Sequence, residues 1–275
     1  MNLPIGAFFN RIQYNGSTDI TFSDLPAIQR HFALTVPFEN NAVMAKKTAP
    51  ISLDGLREKI IDRKEGGLCY ELNPLFYSFL KQLGFDVHLV AGTVFVDGQH
   101  NDLIGTHVAT LLHHNGRSYI VDVGFGSNLA LQPVPLSGEP VTAITGEYRV
   151  REVDSPWGDY AYEKYSDKEL TLYYTFSTQP VDEAYLSRVR DIILTNEKSK
   201  FNKSLFFTKL TDDGHITLTE KSFTITRNGH KTQQEVDKEM FHQLGRRHFG
   251  MNISLTDGSV QALLHHKAQP EQATT

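Results

Sequence analysis

The hydrophobic period of this chain changes from helical to two at Gly84-Phe85, and that change limits the fold more than any other feature. Ahead of it, apolar residues recur at helical spacing in three segments. Leu25, Ile28 and Phe32 follow Ser23, the expected cap, and precede Pro37. Leu53, Leu56 and Ile60 follow a start near Ser52, with Lys59, Asp62 and Arg63 expected to face water. Leu72, Leu75, Phe76, Phe79, Leu80 and Leu83 run up to Gly84, which is well placed to end a helix. Beyond Phe85 the period is two: VHLVAGTVFV, HVATLLHH, RSYIVDVGF, EYRV, DYAYEKY and LTLYYTF are β-branched or aromatic runs separated by turn residues. They predict an antiparallel sheet or barrel over roughly residues 86–180, with Asn115-Gly116 as its clearest hairpin turn. After Pro180 the pattern predicts a helix over 183–193, short strands over 205–210, 215–218 and 222–226, a closing helix over 234–248 and a disordered tail after His265. Helices, then strands, then a mixed segment make an α+β chain of three parts: 1–85, 86–182 and 183–275.

Composition excludes several classes. The 275 residues include a single cysteine, so no internal disulfide or Cys-rich zinc site can form, and a reducing compartment is expected. With 27 basic against 32 acidic side chains and no basic run, no nucleic-acid or membrane-surface footprint is expected. No window reaches the ~18 apolar residues of a membrane span. A cytoplasmic globular protein is expected.

The cysteine lies in RKEGGLCYELNPLFYSFL. Two glycines ahead of it permit close backbone approach, and the helix that follows places Cys69 at an N-terminus, where unpaired N–H groups favour a thiolate. Pro74 leaves the start of regular helix open. Most lone cysteines are small buried apolar residues; a nucleophile also needs a base. The hairpin supplies one. If Asn115-Gly116 is a two-residue turn, His114 faces Arg117, Ala109 faces Asp122 and His107 faces Gly124, which leaves the imidazole room to turn. His107 and Asp122 are then same-face diagonal neighbours with backbones roughly 7–8 Å apart, a distance their side chains can bridge. In such a pair the carboxylate orients the imidazole, which takes the thiol proton.

The remaining histidines show no metal-ligand spacing. His113-His114 and His265-His266 point to opposite faces of a strand, and no metal is inferred. GFGSN at 124–128 follows a strand and offers backbone amides to a phosphate, although a plain tight turn has the same composition. PFENN at 37–41 is ambiguous between core and site, and the aromatic residues of 160–176 read as core.

Taken in order, PFEN at 37–40, GGLCYELN around Cys69, His107 on a strand, VDVGFGSN with Asp122 and the LGRRHFGM run resemble the arylamine N-acetyltransferases over nearly the whole chain. The resemblance implies a helical bundle, a β-barrel and an α/β lid on a cysteine-protease-like (transglutaminase-like) core. It implies Cys69 as acetyl-accepting nucleophile, His107 as base and Asp122 as its orienting residue. It further implies that Gly124, Phe125, Gly126 and Ser127 contact CoA phosphates and that Phe38 walls the acyl or amine pocket. Acetyl-CoA would be a co-substrate, with no permanently bound cofactor and no obligate protein partner, and the acceptors would be aromatic amines, hydroxylamines or hydrazines. One departure is visible: the family usually has Arg-Gly-Gly before the cysteine, and this chain has Glu65-Gly66-Gly67, a carboxylate that would repel Glu39. A Cys–His–Asp set also permits a hydrolase or amide-forming enzyme, or a binding protein in which the triad is structural.

Overall fold

Four phenylalanines decide how the first helices meet. Phe8 of the helix Ile5–Ile12 stacks on Phe79 of the helix Cys69–Gln82 with ring centroids 4.0 Å apart, and Phe32 of the helix Leu25–Thr35 and Phe76 close around them. All four rings are buried, so helices at helical apolar spacing share one core. The computed structural model describes residues 3–96, 98–166 and 169–253. His265-His266 and the tail expected to be disordered lie outside these.

The helix Cys69–Gln82 starts at the cysteine and runs past Pro74, whose missing N–H leaves one helical bond unmade. Burial of Leu72, Leu75, Phe76, Phe79 and Leu80 holds it together, and Gly84 ends it at φ +88°. Ser52 caps the short helix Leu53–Leu56 by accepting from the Gly55 N–H. Ser23 is not a cap. Thr21 and Asp24 close a tight turn, Asp24 accepting from both the N–H and the hydroxyl of Thr21, and the Ser23 hydroxyl is engaged with the Thr21 hydroxyl instead of the helix start.

The second half of the fold is a nine-stranded antiparallel sheet among the described residues. Its path is 134–135, 117–121, 107–114, 86–96, 169–180, 160–166, 146–152, 141–143, with 99–100 folded back on 86–96. The end strand 134–135 returns beside 146–152, so the sheet curls towards a barrel. Along His107–His114 the pleat divides the residues: Val108 and Leu112 join the helical core, while Ala109 and Leu111 join a core with Val150, Tyr162 and Phe176. The Asn115-Gly116 turn pairs His114 with Arg117 and Thr110 with Val121, the expected register.

A five-stranded sheet follows the path 38–39, 206–211, 214–219, 222–227, 230–235. Its edge strand Phe38–Glu39 comes from the N-terminal region, and Thr208 of the neighbouring strand pairs with Phe38. Leu186, Val189 and Ile193 of the helix Glu183–Thr195 pack into the helical core. The closing helix expected over 234–248 is shorter: His230–Glu235 is a strand after an Asn228-Gly229 turn, Asp237 caps the helix Lys238–Leu244, and a wider turn spans Gly245–Phe249. HKTQQE is exposed throughout, so no apolar alternation marks it as a strand.

Gly66 permits the closest backbone approach in the helical region, since a Cβ there would lie 2.1 Å from the Pro37 carbonyl oxygen. Gly66→Ala should therefore lower stability by about 2–4 kcal/mol. Gly6, where an added methyl group would meet nothing within 4 Å, is the control; Gly6→Ala should leave stability unchanged or raise it by up to about 1 kcal/mol. Urea unfolding of the two variants checks the contrast.

Candidate active site

Cys69 is the first residue of its helix, half-buried, with its thiol donating to the Thr106 carbonyl at 3.5 Å. The turn before it is fastened at several points. Gly67 bridges Phe38 in parallel, accepting from the Glu39 N–H and donating to the Pro37 carbonyl. Arg11 reaches the carbonyls of Ile60, Thr35, Lys64 and Glu65. Burial lowers the pKa of this guanidinium to about 10. At the helix start, the Leu68 N–H goes to Glu71 Oε2 and the Glu71 N–H to the Leu68 carbonyl. The N–H groups of Cys69 and Tyr70 have no acceptor among the described residues. Two backbone donors are thus open beside the thiol.

His107 and Asp122 meet in the arrangement the hairpin register predicts. Nε2 of His107 lies 2.8 Å from Asp122 Oδ2, and both side chains are buried. That bond occupies Nε2 and leaves Nδ1 for the thiol, which interacts with the ring. Burial opposes charging the imidazole, but Asp122 outweighs it, with a smaller contribution from Cys69, and the pKa rises to about 10. Burial likewise works against an ionised Asp122, and His107 with two further donors reverses this and lowers its pKa. The ion pair is the stable form of the couple near neutral pH.

Four donors converge on the Asp122 carboxylate. Oδ1 accepts from Asn73 Nδ2 at 2.9 Å and the Gly124 N–H at 2.8 Å; Oδ2 accepts from His107 and from the Tyr174 hydroxyl at 3.0 Å. Asn73 also donates to the Val108 carbonyl and accepts from the Val123 N–H. It stands one helical turn after Cys69, so one face of the helix carries both the thiol and the group that fixes the carboxylate. Sequence reading missed Asn73 and Tyr174. Asn73 was detectable as a polar residue at i+4 from Cys69 inside an apolar run; Tyr174 was hidden among aromatic residues that are otherwise core.

The other expected site residues lie around this centre. Gly124 does not make room for His107. The paired strand ends at Val121, and a Cβ on Gly124 would instead lie 2.9 Å from Cys69 Cα and 2.7 Å from Asn73 Nδ2. Phe125 sets its ring edge-on to His107 at 5.0 Å and packs against Tyr173 and Tyr174. Gly126, at φ +64°, lies against Thr208 of the five-stranded sheet, and Ser127 follows it half-buried. The N–H groups of Phe125, Gly126 and Ser127 have no acceptor among the described residues. Phe38 packs against Phe201 and Phe206 at 5.7 and 6.4 Å. Lys59 does not face water: it is 7% exposed and contacts Glu71, because the wide turn Arg57–Asp62 rotates it inward. Glu65 bonds to Arg63 at 2.9 Å. No three His, Cys, Asp or Glu side chains among the described residues are grouped to hold a metal ion, and no described helix is long and apolar enough to cross a membrane.

The N-acetyltransferase family model matches residues 21–258. An uncharacterized acetyltransferase, YvcN, of Bacillus subtilis is 38% identical, covering 84% of this chain and 91% of its own. This chain belongs to the arylamine N-acetyltransferase family. The family's solved structures share its α+β fold. The NAT3 arylamine N-acetyltransferase of Bacillus cereus superposes with TM-score 0.88 at 41% identity, covering 92% of this chain and all of its own. That enzyme is described as having a unique Cys-His-Glu catalytic triad; here the carboxylate on the histidine is Asp122. The Mycobacterium marinum arylamine N-acetyltransferase, solved in complex with CoA, superposes with TM-score 0.82 at 25% identity, covering 94% and 98% of the two chains. The protein is an acetyltransferase with helices and a nearly closed antiparallel sheet.

Because the pKa of His107 in the folded enzyme lies above its ordinary 6.5, the ion pair's contribution to stability is fully present below pH 6.5 and is lost as pH rises to about 10. Unfolding free energies of wild type and His107→Gln should therefore converge over that window, whereas a constant difference would show the ring to be neutral. Asn73→Ala leaves the Val123 N–H without its acceptor and Asp122 without one donor. It should cost about 2–4 kcal/mol in urea unfolding.

Proposed function

We propose that the enzyme transfers acetyl from acetyl-CoA to arylamines, arylhydroxylamines or hydrazines by double displacement through an acetyl-Cys69 intermediate. The observation that carries this reading is the buried His107–Asp122 pair with its free ring nitrogen towards a thiol that has two open amides beside it. The Cys69 thiolate attacks the thioester carbonyl, and the N–H groups of Cys69 and Tyr70 receive the developing oxyanion. The C–S bond to CoA breaks, and the departing thiolate takes the imidazolium proton of His107. The amine nitrogen then attacks the acetyl thioester, His107 accepts its proton, and the C–S bond to Cys69 breaks, restoring thiolate and imidazolium. Exchange of one thioester for another is nearly balanced, so the first half needs little driving force.

Asp122 acts by holding the tautomer and plane of His107. The open amides of Phe125, Gly126 and Ser127 support a role for residues 124–127 against the CoA phosphates, and the CoA complex of the M. marinum relative supports acetyl-CoA as the co-substrate. Phe38, with Phe201 and Phe206, supplies an aromatic wall suited to an aryl acceptor. In this reading residues 1–85 carry the nucleophile, 86–182 the base and its carboxylate, and 183–275 the lid, and the enzyme works in the cytoplasm without a permanent cofactor or obligate protein partner.

Mixing the enzyme with acetyl-CoA and no amine should give an acetyl adduct on the Cys69 peptide by mass spectrometry, discharged when an arylamine is added. Absence of the adduct in folded protein near neutral pH would falsify the mechanism. Loss of the adduct to water at the same rate without amine would mark a hydrolase instead.

A further inference from the structure

Three buried charges surround the turn that leads into Cys69. Glu39, Lys59 and Glu71 are 1%, 7% and 7% exposed and come from three separate segments. The Lys59 ammonium lies 2.5 Å from Glu71 Oε1 and 3.9 Å from Glu39 Oε1. Each carboxylate gives its other oxygen to the backbone: Glu71 Oε2 accepts from the Leu68 N–H, and Glu39 Oε2 from the Asn41 N–H. The glycines fit between them. A Cβ on Gly66 would come within 2.7 Å of Glu39 Cγ, and one on Gly67 within 2.9 Å of Glu71 Oε2.

Two carboxylates in a dry region both stay ionised only while a cation separates them. Glu39 Oε1 has no hydrogen-bond partner among the described residues. Burial raises the pKa of Glu39; Lys59 opposes this, and Glu71 and Glu65 add to the rise. Position 65, where the family resemblance leads one to expect arginine, holds a glutamate turned towards Arg63. Arg11 is engaged with backbone carbonyls. Among the described residues, Lys59 is the cation within salt-bridge range of both Glu39 and Glu71.

We propose that Lys59 is a positioning residue for acetyl transfer: by bridging Glu39 and Glu71 it holds the Gly66–Cys69 turn, and with it the thiol and the open amides of Cys69 and Tyr70, in place against His107. The inference rests on Cys69 being the acyl acceptor. The carboxylate that Lys59 fixes is the one that caps Leu68, the residue before the nucleophile. A cavity of about 320 Å³, lined by Lys59, Glu65, Glu71 and Asn252 among others, lies beside the pair. Without the ammonium, Glu71 relieves its repulsion with Glu39 by turning into that cavity, and the Leu68 N–H loses its acceptor. Displacement of a reacting group by about 1 Å costs on the order of 100-fold in rate.

The test compares wild type, Lys59→Met and Lys59→Arg by the pH profile of Cys69 alkylation with iodoacetamide, and by kcat and KM for acetyl-CoA with an arylamine acceptor. Lys59→Met should slow alkylation near neutral pH by about tenfold or more, displace its profile to higher pH, and lower kcat to match, with KM for acetyl-CoA within about threefold. Lys59→Arg, which keeps the charge, should restore all of these to within about threefold. A folded Lys59→Met enzyme with a wild-type profile and kcat overturns the proposal, as does an equal loss in Lys59→Arg. If Lys59→Met does not fold, Lys59→Gln, which removes the charge while keeping a polar side chain beside Glu71, is measured in its place with the same losses expected. Failure of both to fold while Lys59→Arg works normally would assign Lys59 to stability alone and overturn the positioning role. Alkylation needs no acetyl donor, so a protein that alkylates as described but is never acetylated by acetyl-CoA would remove the acyl-acceptor reading rather than the hold of Lys59 on the thiol.

Discussion

The carboxylate of Asp122 is where the separate parts of this enzyme are tied together. Its four donors come from the helix Cys69–Gln82 through Asn73, from two strands through His107 and Tyr174, and from the Gly124 loop. A buried carboxylate stays ionised only if its lone pairs are filled, and here they are. Any shift of helix against sheet would leave at least one of these groups unsatisfied in a dry interior. The same set of bonds therefore fixes the packing of the helical core on the barrel and orients the imidazole.

Charge placement follows the same logic on the other side of the thiol. Lys59 lies between Glu39 and Glu71, and Arg11 gathers the carbonyls that precede Gly66. The turn carrying Cys69 is thus held by cations from behind and by the Thr106 carbonyl in front. At Gly66 and Gly124 another backbone comes too close for a side chain, and at Gly67 the Glu71 side chain does. The replacement expected to disturb this region, Glu65, is accommodated because its carboxylate turns to Arg63 while Lys59 separates the buried carboxylates.

Local chemistry made much of this legible. A two-residue Asn-Gly turn leaves one register for its hairpin, so the strands 107–114 and 117–121 and the adjacency of His107 and Asp122 follow from spacing. Helical spacing of large apolar residues likewise places Phe76 and Phe79 in a core, and two glycines before a helix place Cys69 at its start. The family resemblance, drawn from the order of several short motifs, named the chemistry that spacing alone left open among acyl transfer, hydrolysis and binding.

Other features depend on partners far apart along the chain. Lys59 reads as a solvated helix position until the wide turn Arg57–Asp62 rotates it towards Glu71. Tyr174 reads as core until strand pairing brings its hydroxyl to Asp122. Phe38–Glu39 gains a strand partner only when Phe207 and Thr208 arrive from the other end of the chain. Periodicity reports which face of an element is apolar, and turn chemistry reports register between neighbours. Neither carries information about which buried polar atoms will meet across elements, because those contacts are set by desolvation and hydrogen-bond satisfaction in the assembled core.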